Sequence, residues 1–310
     1  MSSKLFLVAM GLFSLSTFAK EKIVYGLDNR VDIKNVHNQK IKELAKSVAG
    51  RVAVSSYEMS RKRPFAKIRR VLTLSHPRSM NVCETERFAN QPTIVDCTGF
   101  LVAPDLLVTA GHCATAMFKE ARDEKTFECE RNDWVFDYQI DKKGPLNLRK
   151  IPKENIYSCK KVVYARYEEL DDFAIIQLDR KVIGRKPLKL AAKKVKSKQG
   201  IFVLGHPTGL PLKYADSANV FGVFDNFFST NLDTFGGNSG SPVFNQETLE
   251  VEGILVRGDT DYVVAFKDDG THCMKVNRCN GSRMNCIEDD PNITGEHVSL
   301  ISKVVEKLEQ

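Results

Sequence analysis

The chain has 310 residues, of which 42% are hydrophobic and 27% are charged, and its formal net charge is +7. These values are ordinary for a folded protein that is soluble in water, so composition alone names no function. Lysine and arginine cluster in residues 61–70 and 193–198, where Phe65 is the only aromatic residue. Proteins that bind nucleic acid interleave such charges with aromatic side chains that stack on the bases. We therefore expect solvated loops and no nucleic-acid partner.

The N-terminus has the features of an export signal. Residues 1–19 contain a basic start with Lys4, a short apolar run and a small residue, Ala19, before Lys20. This pattern predicts a signal peptide and a secreted or periplasmic protein. No stretch approaches the roughly 18 consecutive apolar residues of a membrane helix, so we expect no membrane partner. Residues 20–46 are polar, and the sequence leaves open whether they form a propeptide or an N-terminal arm.

Short apolar runs separated by turn residues follow along the rest of the chain. Many short strands of this kind predict an all-β barrel or sandwich rather than alternating strands and helices. Residues 181–198 are charged and have few apolar runs, and they are the natural connector between two β units. The predicted strands are 52–54, 100–102, 106–108, 161–164, 173–178, 201–204, 220–224, 242–244, 251–256 and 262–266.

The last segment has a different period. In residues 296–308, apolar side chains recur at helical spacing, which predicts a C-terminal amphipathic helix. The apolar residues of that pattern are Val298, Ile301, Val304, Val305 and Leu308.

Three short motifs carry the candidate chemistry. His112 follows an apolar strand, Asp172 directly precedes another, and Ser239 lies within residues 236–242, which read Gly-Gly-Asn-Ser-Gly-Ser-Pro. Hydrolysis by a serine needs a base that takes the hydroxyl proton and an anion that orients the base. It also needs amide donors at the developing oxyanion, a role available to the backbone of Gly237 and Ser239. The order His, Asp, Ser along the chain is that of double-barrel serine proteases.

The choice of the acidic residue depends on which of two adjacent aspartates directly precedes the apolar strand. Asp172 abuts the apolar strand 173–178 and is preferred, but a shift of one residue would exchange it with Asp171. The other histidines lack a comparable context. His206, in the turn Gly-His-Pro-Thr-Gly after a strand, is interpreted as structural.

On these motifs the chain resembles the chymotrypsin-like serine endopeptidases, and the form Gly-Asn-Ser-Gly-Ser-Pro is similar to the bacterial branch that includes the V8-type glutamyl endopeptidases. The resemblance covers residues 47 to 310. It implies two six-stranded antiparallel β-barrels and a C-terminal helix, with residues 47–180 in the first barrel, 199–297 in the second and 298–310 in the helix. It further implies polypeptide substrates, no cofactor and a monomer.

The eight cysteines fit an oxidising compartment, in which an even count usually forms disulfides. The resemblance implies a Cys97–Cys113 bridge that fixes the histidine loop to its strand, and the other pairings stay open. A zinc site at His272, Cys273, Cys279 and Cys286 is disfavoured because no Cys-x-x-Cys pair is present and the compartment is oxidising, so we expect no metal.

The resemblance also bears on substrate preference. Asp233, with Thr234 beside it, lies where trypsin-like relatives carry the carboxylate that binds Lys or Arg. Leu255 lies where glutamyl endopeptidases carry a histidine, which counts against glutamate specificity, although Arg257 could still reach an acidic side chain. The alternative for Asp233 is a buried turn residue that binds backbone amides.

Two rival functions remain at this stage. One is a catalytically weak or inactive protease-like module that binds peptides or proteins, and the other is an esterase with the same triad. In addition, Asn238 stands where digestive relatives carry an aspartate that pairs with a new N-terminal ammonium. A neutral asparagine makes no such ion pair, so we expect the nucleophile loop to form without it.

Overall fold

The computed structural model describes residues 24–115, 120–140, 148–168, 171–258, 260–279 and 295–310. The predicted signal peptide, residues 1–19, lies outside the described residues. The helices are α1 (Gln39–Ala45), α2 (Phe127–Arg131) and α3 (Ser302–Leu308). The strands are β1 (Val24–Tyr25), β2 (Val31–Asp32), β3 (Val48–Ala53), β4 (Tyr57–Glu58), β5 (Phe65–Ile68), β6 (Leu72–Thr73), β7 (Pro92–Thr93), β8 (Cys97–Ala103), β9 (Leu106–Thr109), β10 (Glu120–Glu124), β11 (Asn132–Phe136), β12 (Lys150–Pro152), β13 (Ile156–Glu168), β14 (Asp171–Leu178), β15 (Gly200–Gly205), β16 (Lys213–Val223), β17 (Phe227–Thr230), β18 (Pro242–Asn245), β19 (Val251–Arg257), β20 (Tyr262–Phe266), β21 (His272–Val276), β22 (Arg278–Cys279) and β23 (Glu296–Leu300).

The strands form two closed antiparallel barrels of six strands each. In the first barrel the order is β3, β8, β9, β14, β13 and β11, and β11 pairs back with β3. In the second it is β15, β18, β19, β23, β17 and β16, and β16 pairs back with β15. Closure leaves no free sheet edge inside either barrel. The fold class predicted from the sequence is therefore confirmed.

Each barrel has its own apolar interior, and a third cluster joins them. Trp134 belongs to the apolar cluster of the first barrel and Phe228 to that of the second, and both have almost no solvent contact. The joining cluster brings Phe100 of β8 together with Phe202 of β15 and Val304 of α3. Because strands such as β8 face a barrel interior on one side and the other barrel on the opposite side, they are apolar on both faces.

The C-terminal helix is shorter than its sequence pattern predicts. The prediction of helix for residues 296–300 is wrong, since Glu296–Leu300 is strand β23, which pairs with β17 and β19 and completes the second barrel. The fully buried side chain of Val298 lies in the interior of that barrel. Tertiary pairing thus overrides a helical spacing that holds only from Ile301 onward.

The N-terminal segment is part of the folded core. Strand β2 extends the second barrel by pairing with β16, and α1 packs Ile41 into the cluster between the barrels. Among the described residues no helix is long and apolar enough to cross a membrane.

Three disulfides join described cysteines. The expected Cys97–Cys113 bridge is present, and the others are Cys83–Cys273 and Cys129–Cys159. None of the described cysteines is free. Such bonds are typical of proteins that fold in an oxidising compartment outside the cytosol.

Candidate active site

His112 lies on a short 3₁₀ turn, Gly111–Cys113, directly after β9. Its Nδ1 is 2.8 Å from Oδ2 of Asp172, and its backbone N–H donates to Oδ1 of the same carboxylate at 3.1 Å. The contact with a carboxylate places the proton on Nδ1 and leaves Nε2 as the basic nitrogen. Glycine is required at position 111, since a Cβ there would lie 1.8 Å from the carbonyl oxygen of Arg166. The turn can therefore approach β13 closely enough to bring the ring to the carboxylate.

Asp172 and Asp171 have different surroundings. The Asp172 side chain is only 2% exposed, and besides His112 it has Nη2 of Arg257 at 3.9 Å. That guanidinium also donates to the carbonyl of Glu168 at 3.3 Å, so it is directed at the carboxylate side of the site. Asp171 instead faces Nε of Arg166 at 3.5 Å. The structure thus brings Asp172, and not its neighbour, to the histidine.

The loop that carries Ser239 depends on two glycines with positive φ. Gly237 and Gly240 both have φ of +89°, in the region that other residues rarely adopt. A Cβ on Gly237 would lie 2.6 Å from the carbonyl oxygen of His206, and one on Gly240 would lie 2.0 Å from the carbonyl oxygen of Thr98. The sequence Gly-Asn-Ser-Gly therefore allows the loop to turn tightly against both barrels.

Three hydrogen bonds hold the peptide groups of this loop. The Gly236 N–H donates to Oδ2 of Asp261 at 2.8 Å, and its carbonyl accepts the Thr208 N–H at 2.5 Å. The carbonyl of Gly237 accepts the hydroxyl of Thr98 at 2.8 Å. Since a peptide group is planar, fixing one of its polar atoms also orients the other. The loop is therefore held in place before any substrate binds.

Two N–H groups of the loop remain unused. Within the described part of the chain, the backbone N–H groups of Gly237 and Ser239 donate to no acceptor. Both residues are partly exposed to solvent, whereas Asn238 between them is buried. Unpaired, preoriented amides beside a serine hydroxyl are what an oxyanion requires.

The nucleophile loop packs against the histidine loop. The Ser239 carbonyl accepts the Thr98 N–H at 2.8 Å and lies 3.8 Å from Sγ of Cys113, the residue after His112. No hydrogen bond joins the His112 ring to the Ser239 hydroxyl in the unliganded chain. Such bonds are often long in free enzymes and shorten only in the complex with substrate.

Asn238 is buried. Its Oδ1 accepts a hydrogen bond from the Ser241 hydroxyl at 3.4 Å, and its backbone N–H donates to the Phe235 carbonyl at 2.9 Å. No ammonium takes part in these contacts among the described residues. These two contacts of Asn238 are therefore made by neutral groups.

His206 is buried at the junction of the barrels. Its Nδ1 lies 2.9 Å from the carbonyl of Leu210, and its backbone N–H donates to the Thr98 hydroxyl at 3.2 Å. Burial lowers the pKa of His206 to about 3, so the ring is neutral. These contacts fit the structural role expected for it.

The three residues expected in a specificity pocket are all inaccessible to solvent. Asp233 is 1% exposed, and Thr234 and Leu255 are 0% exposed. Leu255 packs in the interior of the second barrel, and the Thr234 hydroxyl donates to Glu296. Side chains enclosed in this way do not line an open pocket.

Asp233 has partners that the sequence did not indicate. Its Oδ1 accepts the Tyr25 N–H at 2.8 Å, and its Oδ2 accepts the Asn29 N–H at 2.9 Å. Both carboxylate oxygens thus accept hydrogen bonds from backbone amides. This agrees with the alternative interpretation of the sequence, in which Asp233 is a buried residue that binds backbone amides. The expectation that this carboxylate meets a substrate lysine or arginine gains no support from this placement.

Cys97, His112 and Cys113 bring their ligand atoms within 4.8 Å of one another, a spacing compatible with metal binding. The two sulfurs are joined to each other as a disulfide and are not thiolates. A thiolate is the form that binds a metal, so this cluster is not a metal site.

Two supporting residues were not identified from the sequence. Thr98 contacts the nucleophile loop through its N–H and its hydroxyl. Arg51 supports the histidine loop by donating to the Cys113 carbonyl. The Arg51 guanidinium also forms ion pairs with Glu128 at 2.9 Å and with Asp96 at 2.8 Å. The only local signal was the position of Thr98 next to Cys97.

The comparisons with known proteins agree with this architecture. The sequence profile of the Trypsin-like peptidase domain matches residues 97–254, just over half of the chain. The chain therefore belongs to the trypsin-like peptidase family, and its double barrel is that of the chymotrypsin-like serine proteases. A comparison with curated protein sequences finds no significant match.

Several solved protease structures match this chain in a comparison of backbone folds. A Glu endopeptidase is 15% identical with a TM-score of 0.47, covering 93% of this chain and 100% of its own. A protease of M. tuberculosis in its active form is 14% identical with a TM-score of 0.46, covering 97% and 93%. The VesB protease of Vibrio cholerae is 13% identical with a TM-score of 0.45, covering 90% and 66%. The family assignment depends on the profile match and not on these structures.

Proposed function

We propose that the chain is an exported serine endopeptidase that hydrolyses peptide bonds through an acyl-enzyme. The observation that supports this most is the combination of a buried Asp172–His112 pair with a loop whose Gly237 and Ser239 amides have no acceptor among the described residues. The family assignment supplies the substrate class, since its members act on polypeptides.

In the proposed mechanism, Oγ of Ser239 attacks the substrate carbonyl carbon while Nε2 of His112 takes the hydroxyl proton. Asp172 keeps the ring oriented through Nδ1 and stabilises the imidazolium that forms. The amides of Gly237 and Ser239 donate to the oxyanion of the tetrahedral intermediate.

Collapse of this intermediate breaks the peptide bond, and the imidazolium gives its proton to the leaving amine. The acyl group is then an ester on Ser239. A water molecule, deprotonated by His112, attacks this ester and releases the second product with the serine restored. Every proton in the cycle passes through the histidine.

Export is the second part of the proposal. Its supports are the sequence pattern of residues 1–19 and the disulfides, which persist in oxidising compartments. A preference for Lys or Arg is not included, because Asp233 is enclosed and both of its carboxylate oxygens already accept N–H groups.

The test is cleavage of a mixed peptide library by protein purified from the secreted fraction, compared with the Ser239→Ala variant. The proposal expects cleavage within the peptides by the wild type and none above background by the variant. A wild type that binds the peptides without cleaving them would show a binding module, and cleavage of simple esters alone would show an esterase.

A further inference from the structure

The N-terminal segment makes an unusual set of contacts with the residues that lead into the nucleophile loop. We call residues 24–32, which contain β1 and β2, the N-terminal brace. Two of its backbone amides, those of Tyr25 and Asn29, donate to the two carboxylate oxygens of Asp233 at 2.8 and 2.9 Å. More than 200 residues of sequence separate the donors from the acceptor. The carboxylate is thus bound at both oxygens by a distant part of the chain.

A second contact lies two residues further along the loop. Arg30 is 1% exposed, and its guanidinium lies over the ring of Phe235 at 4.0 Å from the centroid. Asp28 holds the guanidinium in place through bonds to Nε at 2.9 Å and to Nη2 at 2.7 Å. A cation over an aromatic face is attractive, more so when water is excluded. The ring of Phe235 is therefore fixed directly before Gly236.

The brace is itself held at both ends. Strand β1 pairs with β22, and β2 pairs with β16 of the second barrel. Asp32 forms a buried ion pair with Lys213 at 2.8 Å, and Arg87 donates to the carbonyls of Asp28 and Arg30. The segment is thus joined to the second barrel by strand pairing, by an ion pair and by side-chain hydrogen bonds to its backbone.

Burial raises the pKa of Asp233 to about 6, so the group is ionised at neutral pH and can accept both N–H groups. A carboxylate enclosed without partners would be costly, and the brace amides supply those partners. If the brace were cleaved away, this charge would be left uncompensated within six residues of Ser239.

We infer that the N-terminal brace remains in the mature enzyme and positions the nucleophile loop, with Asp233 as its anchor and not as a substrate-binding group. This inference rests on the proposed function. Asp233 and Arg30 act through the chain from Phe235 to Ser239 and are positioning residues. On this inference the segment from residue 24 onward is a retained arm and not a propeptide.

The first experiment is hydrogen–deuterium exchange of the full secreted chain, wild type against Asp233→Asn. Asparagine keeps the size but replaces one acceptor oxygen with a donor, so one of the two brace amides loses its partner. We expect exchange to accelerate at least about tenfold both in residues 24–32 and in residues 234–240. The matched control is Asp225→Asn, at an exposed position of the second barrel, which should change neither.

Acceleration confined to residues 24–32 would overturn the inference, because the brace would then not support the loop. If Asp233→Asn does not fold, Arg30→Lys replaces it. That variant keeps the charge beside Asp28 but loses the planar group over Phe235, and exchange should again accelerate in both segments. This readout does not depend on catalysis.

The second experiment measures kcat and KM on peptides that differ only in the residue before the cleaved bond. We expect Asp233→Asn to lower kcat about tenfold on all of them with their ranking unchanged. A selective loss of Lys and Arg peptides would assign Asp233 to the substrate and overturn the inference. An active wild type whose N-terminus begins after Asp32 would overturn it as well. A wild type without any hydrolysis would instead contradict the proposed function and leave the exchange result to decide on the brace.

Discussion

The hydroxyl of Thr98 in the first barrel donates to the carbonyl of Gly237 in the nucleophile loop at 2.8 Å. This bond links the two barrels at the peptide next to the candidate oxyanion amides. The backbone N–H of Thr98 also donates to the Ser239 carbonyl, and the backbone carbonyl of Thr98 accepts a hydrogen bond from the Thr109 hydroxyl. One residue thus fixes the loop on both sides of Asn238.

Replacing Thr98 with valine should lower kcat. The change keeps the shape of the side chain but leaves the Gly237 carbonyl without its donor and the His206 N–H without its acceptor. A lost partner costs about 1–3 kcal/mol where the group is buried. We expect kcat to fall about tenfold with little change in KM, as measured by steady-state peptide hydrolysis. Thr230→Val is the matched control, because the Thr230 hydroxyl is buried and has no partner among the described residues. Equal effects of the two variants would argue against a role for the Thr98 bond.

The two adjacent aspartates offer a direct test of register. Asp172→Asn removes the charge that stabilises the imidazolium and favours the wrong ring tautomer, so kcat should fall on the order of 10⁴-fold. Asp171→Asn, which removes a contact with the partly exposed Arg166 at 3.5 Å, should change kcat less than about threefold. Circular dichroism would check that both variants fold. A loss of activity in Asp171→Asn with normal turnover in Asp172→Asn would reverse the assignment.

Gly237→Ala should abolish most activity. Its φ of +89° is unfavourable for alanine, and the added Cβ would lie 2.6 Å from the His206 carbonyl, so the oxyanion amide must move. A displaced donor should reduce kcat/KM on the order of 100-fold. Gly270→Ala is the control, since Gly270 has φ of +80° but no atom within 4 Å of the added Cβ. It should lower stability slightly and leave kcat/KM intact, and a wild-type rate in Gly237→Ala would contradict the assignment of this amide.

His206 should make the protein less stable in acid. Burial lowers its pKa from 6.5 to about 3, so the unfolded chain binds a proton over this range that the folded chain does not. The free energy of unfolding is therefore not reduced by His206 above pH 6.5, and it falls as the pH decreases from 6.5 toward 3, because protonation favours the unfolded chain. The loss between pH 7 and pH 4 is roughly 3 kcal/mol of unfolding free energy.

Urea unfolding, followed by the fluorescence of the single tryptophan, Trp134, measures this effect. In His206→Asn a side-chain N–H can still donate to the Leu210 carbonyl, but no group titrates, so the drop in stability between pH 7 and pH 4 should shrink. His37→Asn, at an exposed position, should keep the wild-type pH dependence. An unchanged pH dependence in His206→Asn would show that the ring is not held neutral by burial.

Local sequence signals were sufficient for much of the architecture. Apolar runs such as 100–102 and 173–178 fall within β8 and β14, because strands enclosed on both faces are continuous in apolar residues. Strand β10, with the sequence Glu-Ala-Arg-Asp-Glu, is an edge strand that pairs with β13 outside the closed barrel and carries no such signal. Strand β23 was mistaken for helix because its pairing partners are far away in sequence.

The candidate active site likewise has some residues that local sequence signals indicate and others whose contacts depend on distant parts of the chain. The motifs around His112 and Ser239 are local, since glycines and flanking strands mark them, and the position of Asp172 directly before the apolar run 173–178 indicated its register. The contacts of Asp233 depend on amides more than 200 residues away, and no local pattern predicts which groups will surround a buried carboxylate. Its position before Ser239, through the resemblance to trypsin-like relatives, indicated a substrate-binding role that gains no support from the contacts of the carboxylate.

The most direct test of the proposed mechanism is the rate at which a fluorophosphonate modifies Ser239, measured by intact-mass and peptide mass spectrometry. We predict a single adduct on Ser239 in the wild type, no adduct in Ser239→Ala, and labelling slowed at least about 100-fold in His112→Ala. An unlabelled wild type, or equal labelling rates with and without His112, would contradict the account.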